Sequence, residues 1–497
     1  MSSATLFPQK IHYLSLGASC ISIAISAILV LFYTILYSHG CSQSFGPFNP
    51  IDLKWSASTD DANFATNISH IKFILASSTK TLKSRRPYIE SWWQPNGTRG
   101  NIFLDSPPPK DFLPWPSSYP PFQVNEDIKK LRVYPKLVVP AAVRLFRSIL
   151  ETFRLGDDEN VRWYVMGDDD TVFFVENLVE VLGKYDHTKY YYIGMTSEAV
   201  KSNFDFSFDM AYGGGGFALS YTLVETLVPV IDDCIERYPH LRVSDQLLSS
   251  CLADLGVDLT LERGFHQIDL LGDISGLLSS HRQSPLLSLH HLDTVNPIFP
   301  YMNQYESINH LMKAAKFDQS RLLQQTICYH KASNWSFTVS WGYSAHVYES
   351  VIPRSLLRKP LETFQPFKKS ARPPLYMFNT RLPSLDPSCQ APHAFFLESV
   401  EINGGDFVNT TYRRASPRNL PPCSSSGNHS ADHVDYIRVV LQATSRKQEC
   451  KGQRVLFGVL EFKGEVMMFV SGFGKVRVRQ RGSGEGKVTL VRFRVLV

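Results

Sequence analysis

The chain has 497 residues, 43% of them apolar and 20% charged, with a net charge of +5. That length leaves room for about two to four domains of about 100–200 residues each, and the apolar share excludes a disordered polymer. The positive balance sits at one end: residues 451–497 carry ten Lys/Arg against three Asp/Glu, which leaves the first 450 residues at −2 and excludes a nucleic-acid footprint on the main body.

Taken from the amino terminus, Ile11 to Ile51 contains no Asp, Glu, Lys or Arg. Within it, residues 14–38 are expected to form an uncleaved transmembrane signal anchor behind a cytoplasmic tail, 1–13. The run exceeds the about 7–15 apolar residues of a signal peptide and is long enough for about 30 Å of hydrocarbon. Lys10 precedes it and only His39 follows before Asp52, which favours the amino terminus inside and the bulk of the chain in the lumen. Residues 39–65, without periodicity and with Gly, Pro, Ser and Asn, read as a stem. Five Asn-x-Ser/Thr sequons, at Asn67, Asn96, Asn334, Asn409 and Asn428, are candidate glycan sites in that setting. Six cysteines lie well beyond the anchor (Cys234, Cys251, Cys328, Cys389, Cys423 and Cys450), with no zinc-type spacing, so disulfides are expected. Cys234 and Cys251 could close a short loop.

Ile71-Lys-Phe-Ile-Leu-Ala76 reads as a buried strand, followed by Ser77-Ser78-Thr79 and a helical stretch carrying Arg85, Arg86, Trp92 and Trp93. A second strand is Asn101-Ile-Phe-Leu-Asp105. Seven prolines make 106–121 a loop. Leu137 to Phe153 has helical apolar spacing, Val161 to Met166 is a third buried strand, Val175–Tyr185 a helix and Tyr190–Ile193 a strand. The alternation predicts an α/β domain with a mainly parallel central sheet and a ligand site beyond the carboxyl ends of its strands. No GxGxxG or P-loop pattern occurs. After about residue 380 short β-like runs with Pro and Cys predict a smaller β-rich region. The basic tail that follows includes an alternating Val476-Arg-Val-Arg479, which could form a hairpin.

Asp168-Asp169-Asp170 follows the third strand after Gly167. Alternating side-chain directions point Asp168 and Asp170 the same way, offering hard oxygen ligands for Mg²⁺ or Mn²⁺; a solvated acidic turn is the plain alternative. Gly213-Gly-Gly-Gly216-Phe-Ala-Leu-Ser220 lets backbone approach a ligand, or merely turns between elements. Ser244-Asp245-Gln246 begins a helix through Leu255, where either Ser244 or Asp245 could be a cap. Leu289-His290-His291-Leu292-Asp293 supplies two imidazoles.

In that order, together with Arg86-x(5)-Trp92 and a strand ending in Asp105, these motifs resemble the fringe-related β-1,3-glycosyltransferases, in their plant fringe-like branch, over about residues 68–300. The resemblance implies a GT-A-type nucleotide-sugar fold with the catalytic domain at 66–300, an extension of the lumenal domain at 301–445 and an atypical basic tail at 446–497. It implies a type II Golgi membrane protein that uses Mn²⁺ or Mg²⁺ to transfer a sugar, with inversion, from a UDP-sugar to a glycan or glycoconjugate hydroxyl, forming a β-1,3 bond. Asp245 would be the catalytic base. Asp168, Asp170 and His291 would be metal ligands, with His290 the alternative histidine. Asp169, Ser77, Arg86, Asp105, Gly214, Gly215 and Gly216 would serve the donor. Two other readings compete: a non-catalytic carbohydrate-binding or scaffold protein on the same fold, and a haloacid-dehalogenase-type phosphatase. The latter is suggested by Asp168-x-Asp170-x-Val172 but is weakened by the absence of its later acidic pair, of which Gly272-Asp273 is the only fragment.

Overall fold

Seven strands form the first sheet: β1 (Ile71–Ala76), β2 (Arg99–Leu104), β3 (Phe122–Val124), β4 (Trp163–Asp168), β5 (Tyr192–Gly194), β6 (Phe217–Ser220) and β7 (Leu259–Leu261), in spatial order β3-β2-β1-β4-β6-β5-β7. The structure is a computed structural model. It describes residues 65–442, apart from 282–283, 331–332, 369–371, 385–386, 404–406 and 424–429, and the backbone of 456–462 and 465–471. The expected anchor (14–38), the tail and stem beside it, Asn428, Cys450 and the Val476–Arg479 alternation lie outside these residues. Among the described residues no helix is long and apolar enough to cross a membrane.

The sheet is mixed. Its β3-β2-β1-β4 half is parallel throughout and β5 runs parallel to β7, but β6 runs against both β4 and β5. The expected mainly parallel sheet thus includes one antiparallel strand. β1 is apolar along its length, apart from Lys72, because both faces are covered. Phe73 and Leu75 enter one core with Val165, Ile193 and Ala218. Ile74 and Ala76 enter the other with Tyr164, Met166, Phe217 and Leu219. Against the first face lies α1 (Leu82–Trp92), through Leu82, Ile89 and Trp92. Against the second lies α2 (Pro140–Arg154), through Val143, Phe146 and Leu150. Lys72 is tolerated in β1 because its ammonium donates to Asp158 (2.8 Å) and to the Asp157 carbonyl (3.0 Å).

The second sheet contains β8 (Gln325–His330), β9 (Trp335–Ser340), β10 (Ser344–Tyr348), β11 (His393–Asn403), β12 (Phe407–Arg414), β13 (Tyr436–Gln442), β14 (Leu456–Phe462) and β15 (Glu465–Ser471), in order β8-β9-β10-β11-β12-β13-β15-β14. It is antiparallel except where β13 meets β15. The β-rich region thus begins near 325 rather than 380. β9 and β10 are buried at every position, so they lack the alternation that marks a half-exposed strand. Trp335, Phe337, Tyr343 and Tyr412 share the core that covers the α1 face of the first sheet.

Two disulfides join described cysteines, Cys234–Cys251 and Cys389–Cys423, while Cys328 is free and buried. Asn67, Asn96 and Asn334 are exposed and Asn409 is half-buried. Cys234–Cys251 ties α3 (Ile231–Arg237) to α4 (Ser244–Asp254). Changing both cysteines to serine is expected to cost about 3 kcal/mol, as for a loop of roughly this length. Paired thermal and denaturant unfolding under non-reducing conditions measures it.

A buried polar cluster sits at the edge of the second core. Glu349 Oε2 meets Arg418 Nη2 at 2.8 Å, and its Oε1 accepts from the Ala431 N–H. His393 Nδ1 accepts from Arg414 Nη1 (2.8 Å), as a neutral imidazole does. Burial raises the carboxyl of Glu349, but His393, the Ala431 amide and Arg418 outweigh it and bring it down to about 2. For such a depressed acid the stabilisation is complete above the ordinary glutamate value, near 4.5, and is lost as pH falls toward 2. Burial also lowers His393, so protonating it below its ordinary 6.5 destabilises the fold in the same direction. The melting temperature is therefore expected to fall steadily as the pH is lowered from 6.5 toward 2. Glu349→Gln should flatten the part below about 4.5 while costing about 3–5 kcal/mol at neutral pH, because Arg418 is left buried without its partner.

Candidate metal and sugar-transfer site

The site is built at the carboxyl end of β4. The strand continues two residues past Met166, so Asp168 is its last residue and the following aspartates open the turn. The turn is pinned by Thr171, whose Oγ1 accepts from the Asp168 N–H (2.8 Å) and donates to the Gly214 carbonyl (2.7 Å). Trp92 Nε1 holds the Thr171 carbonyl at 2.9 Å. The aspartate turn is thereby locked to α1 and to the glycine loop.

The three aspartates do different things. Asp169 is buried and both of its oxygens accept hydrogen bonds. Ser77 and Thr81 each donate a hydroxyl to Oδ2 at 2.7 Å, and Arg85 Nη1 donates to Oδ1 at 2.8 Å. It anchors the β1–α1 connection, and the structure shows Asp169 and Ser77, expected at the donor, bonded to each other. Asp168 and Asp170 share a centre with His290. One ligand atom from each lies within 4.8 Å of the others, with His290 Nε2 at 3.1 Å from Asp170 Oδ1 and 3.6 Å from Asp168 Oδ2. Asp168 is 37% exposed, while Asp170 and His290 are buried.

His290 reaches this centre from a two-residue strand, Ser288–Leu289, which pairs with Val172–Phe173 just after the aspartates. Residues two apart share a face. Ser288 donates to the Gly215 carbonyl, and His290 packs on Gly214. His291 adopts φ 53°, so the chain reverses there, and its Nδ1 contacts Asp269 Oδ1 at 3.2 Å. The group that could hold a cation is thus Asp168, Asp170 and His290, the alternative histidine of the sequence reading, and His291 lies outside it.

The glycine loop separates this centre from Asp245. A Cβ on Gly213 would lie 2.6 Å from Asp245 Oδ1, and one on Gly214 would lie 2.1 Å from His290 Cε1. Consecutive glycines thus carry the carboxylate and the imidazole on either side of one stretch of backbone. Asp245 opens α4. Its Oδ2 accepts from the Gly213 N–H (2.9 Å) and its Oδ1 from the Ser244 hydroxyl (3.1 Å), so it organises the loop rather than capping its own helix. Gly215 donates to Gln267 Oε1 (2.6 Å), and Gly216 takes φ 89°, a conformation that suits glycine.

Of two neighbouring arginines, the one not singled out by the sequence reading lies nearer the aspartates. Arg86 pairs with Glu90 at 2.8 Å and lies over the Phe112 ring, away from the centre. Arg85 enters it instead, with Nη2 3.1 Å from Asp170 and 3.2 Å from Asp293. Spacing does not separate the two, since Leu82, Arg85, Ile89, Trp92 and Leu82, Arg86, Ile89, Trp93 both recur at three and four residues. Asp105 stands exposed after β2 and accepts from the Thr79 N–H (2.8 Å); it is not part of the aspartate–histidine group.

The electrostatics suit a cation. Protein packed around the partly exposed Asp168 carboxyl, with Asp170 and Asp245 adding repulsion, raises it above its ordinary value against the pull of His290. Burial would also raise Asp170, but His290 and Arg85 hold it below the carboxylate range. The same buried imidazole is drawn up to about 9, chiefly by Asp170. Despite these close charges, neither oxygen of Asp170 nor His290 Nδ1 makes a well-directed hydrogen bond. Two carboxylates and an imidazole gathered in this way are a group that could hold a divalent cation, once the imidazole has given up its proton. Burial raises Asp245 above its ordinary value, which makes it a stronger base.

A stretch of 120 residues is 28% identical to a β-1,3-glucosyltransferase of Mus musculus, and a stretch of the same length is 28% identical to that of Homo sapiens; each covers 24% of this chain. The matches span 24% and 23% of those proteins, about a quarter of the length of the curated relatives. A family model described as a protein of unknown function, DUF604, matches residues 202–456, which include the glycine loop, Asp245 and both histidines. As this match covers more than half of its length, the chain belongs to the DUF604 family.

Proposed function

We propose that the chain is a metal-dependent inverting glycosyltransferase that moves a sugar from a UDP-sugar to a hydroxyl of a glycan or glycoconjugate, forming a β-1,3 bond. The observation that carries this reading is the joint placement of Asp168, Asp170 and His290 at a strand end, with Asp245 held across two glycines. The similarity to β-1,3-glucosyltransferases and the resemblance to the fringe-related enzymes support it. A GT-A-type fold, a Golgi membrane location and a type II anchor at 14–38 belong to the same proposal.

Asp168, Asp170 and His290 would hold Mn²⁺ or Mg²⁺, which when bound offsets the negative charge that develops on a departing nucleoside diphosphate. For that, His290 must be the neutral imidazole and Asp168 ionised. Asp245, with one oxygen fixed by Gly213 N–H, takes the proton of the acceptor hydroxyl as that oxygen attacks the anomeric carbon. Attack from the face opposite the leaving group inverts the centre without a covalent sugar–protein bond. Arg85 neutralises the inner side of the aspartate cluster and keeps Asp170 ionised.

The test is turnover by the full chain against a panel of UDP-sugars, with Mn²⁺ or with EDTA. Transfer or donor hydrolysis with at least one of them, abolished by EDTA, is expected. Asp245→Asn should lower acceptor-dependent transfer by about a hundredfold or more while leaving donor affinity unchanged. Sugar binding without any turnover would favour the non-catalytic alternative.

A further inference from the structure

A cavity of about 600 Å³ lies beside the metal centre without containing any of its residues. Its wall is formed in part by residues 195–198 and by His266, whose carbonyl accepts from the His290 N–H at 3.1 Å. The neighbouring Gln267 braces Gly215, so one backbone segment separates the cavity from the glycine loop. The charges around it are unbalanced. Arg263, Arg354, Arg358 and Lys359 all line it, from two separate parts of the chain. Glu198 is the only acidic residue lining it, and that carboxylate is already occupied: Oε1 by His266 Nδ1 at 2.9 Å, Oε2 by the Ile268 N–H at 2.8 Å.

Among the described residues, Arg263, Arg358 and Lys359 have no ion-pair partner, and Arg354 donates only to the Ile327 carbonyl (3.0 Å). Arg263, Arg354 and Arg358 are exposed and Lys359 is half-buried, so an anion entering the cavity would meet several cations at once. Guanidinium forks match phosphate and carboxylate oxygens two at a time. The remaining wall is mixed, with Phe265, Phe378 and Met377 beside Gln325 and Asn379. That combination suits a polar body carrying an oxyanion, and the volume is that of an ordinary small-molecule site.

We propose that this cavity is a second binding site, distinct from the metal centre, for a small molecule bearing a phosphate or a carboxylate, held by Arg263, Arg354, Arg358 and Lys359. The proposal does not rest on sugar transfer. Its chemistry admits two sources, a phosphate ester or an acidic sugar, and the probes below separate them. Ser197 in the cavity wall donates to Asp269 Oδ2 (2.6 Å), and Asp269 in turn contacts His291. An occupant would therefore sit one hydrogen-bonded chain away from the residue next to His290.

Calorimetric titration of the full chain with inorganic phosphate, glucuronate and neutral glucose tests this, with all solutions freed of metal over an immobilised chelating resin. Phosphate or glucuronate should bind, weaken with added NaCl and outcompete glucose; whichever binds more tightly names the source. Arg358→Ala and Lys359→Ala, both on the rim, should each weaken binding about tenfold, and Arg263→Ala from the opposite stretch of chain should do the same. Asp170→Asn should bind the anion as the parent does, which separates this site from the metal centre. Absence of binding by both anions, equal binding of glucose, or binding that survives the three cation variants would overturn the proposal. So would its loss in Asp170→Asn.

Discussion

Asp170→Asn is expected to lower metal-dependent sugar transfer at least about a thousandfold, a barrier increase of about 4 kcal/mol. The side chain is fully buried and takes part in the only group of His, Cys, Asp and Glu among the described residues suited to a cation. The substitution keeps its shape and removes its charge. Arg85 retains Asp169 and Asp293, so the fold should survive with a modest shift in melting temperature. Mn²⁺ titrations of kcat/KM should show no recovery at saturating metal. Asp169→Asn gives the contrasting result. Its carboxylate accepts from Ser77, Thr81 and Arg85, and an amide cannot accept at both ends. Thermal stability should fall more than in Asp170→Asn, while the metal dependence of whatever activity remains is unchanged. If Asp170→Asn keeps activity within about tenfold of the parent, the cation does not sit where proposed.

The difference between these adjacent aspartates shows what the sequence could and could not say. Period-two alternation placed Asp168 and Asp170 on one side of the strand end, and they converge in the structure. The same logic puts Asp169 on the other side, where it ties β1 to α1; only the family resemblance drew it toward the donor. Helical spacing did not distinguish Arg85 from Arg86, because each lies three or four residues from both Leu82 and Ile89. Two further features had no local signal. The left-handed turn at His291 decides which imidazole faces the aspartates, and an ordinary His-His pair does not announce it. The antiparallel course of β6 depends on the glycine loop returning the chain beside β4, a long-range pairing that apolar content alone does not orient. The second sheet was hidden for a related reason: strands buried on both faces, such as β9, lose the alternation that identifies them.

Gly214→Ala should damage the site nearly as much as loss of a ligand, though nothing charged is changed. The added methyl would lie 2.1 Å from His290 Cε1 and 2.5 Å from both ring nitrogens. The ring is 3% exposed and packed against His291 with centroids 3.9 Å apart, which leaves it little room to swing aside. The overlap must be relieved by moving the imidazole off Asp170 or by shifting the loop that Thr171 and Asp245 hold. Either movement separates ligand atoms now within 4.8 Å of one another. An activity loss of about a hundredfold or more and a destabilisation of about 1–3 kcal/mol are expected. Gly256→Ala provides the control. Gly256 also has positive φ (74°), but a Cβ there meets nothing within 4 Å, so it should carry the backbone cost alone and keep full activity. The double variant Gly214→Ala/His290→Ala separates steric from chemical damage. Removing the ring makes room for the methyl, so stability should recover toward that of His290→Ala, whereas Mn²⁺-dependent turnover should not. Recovery of turnover in the double variant would mean that His290 is packing around the aspartates and takes no part in holding the cation.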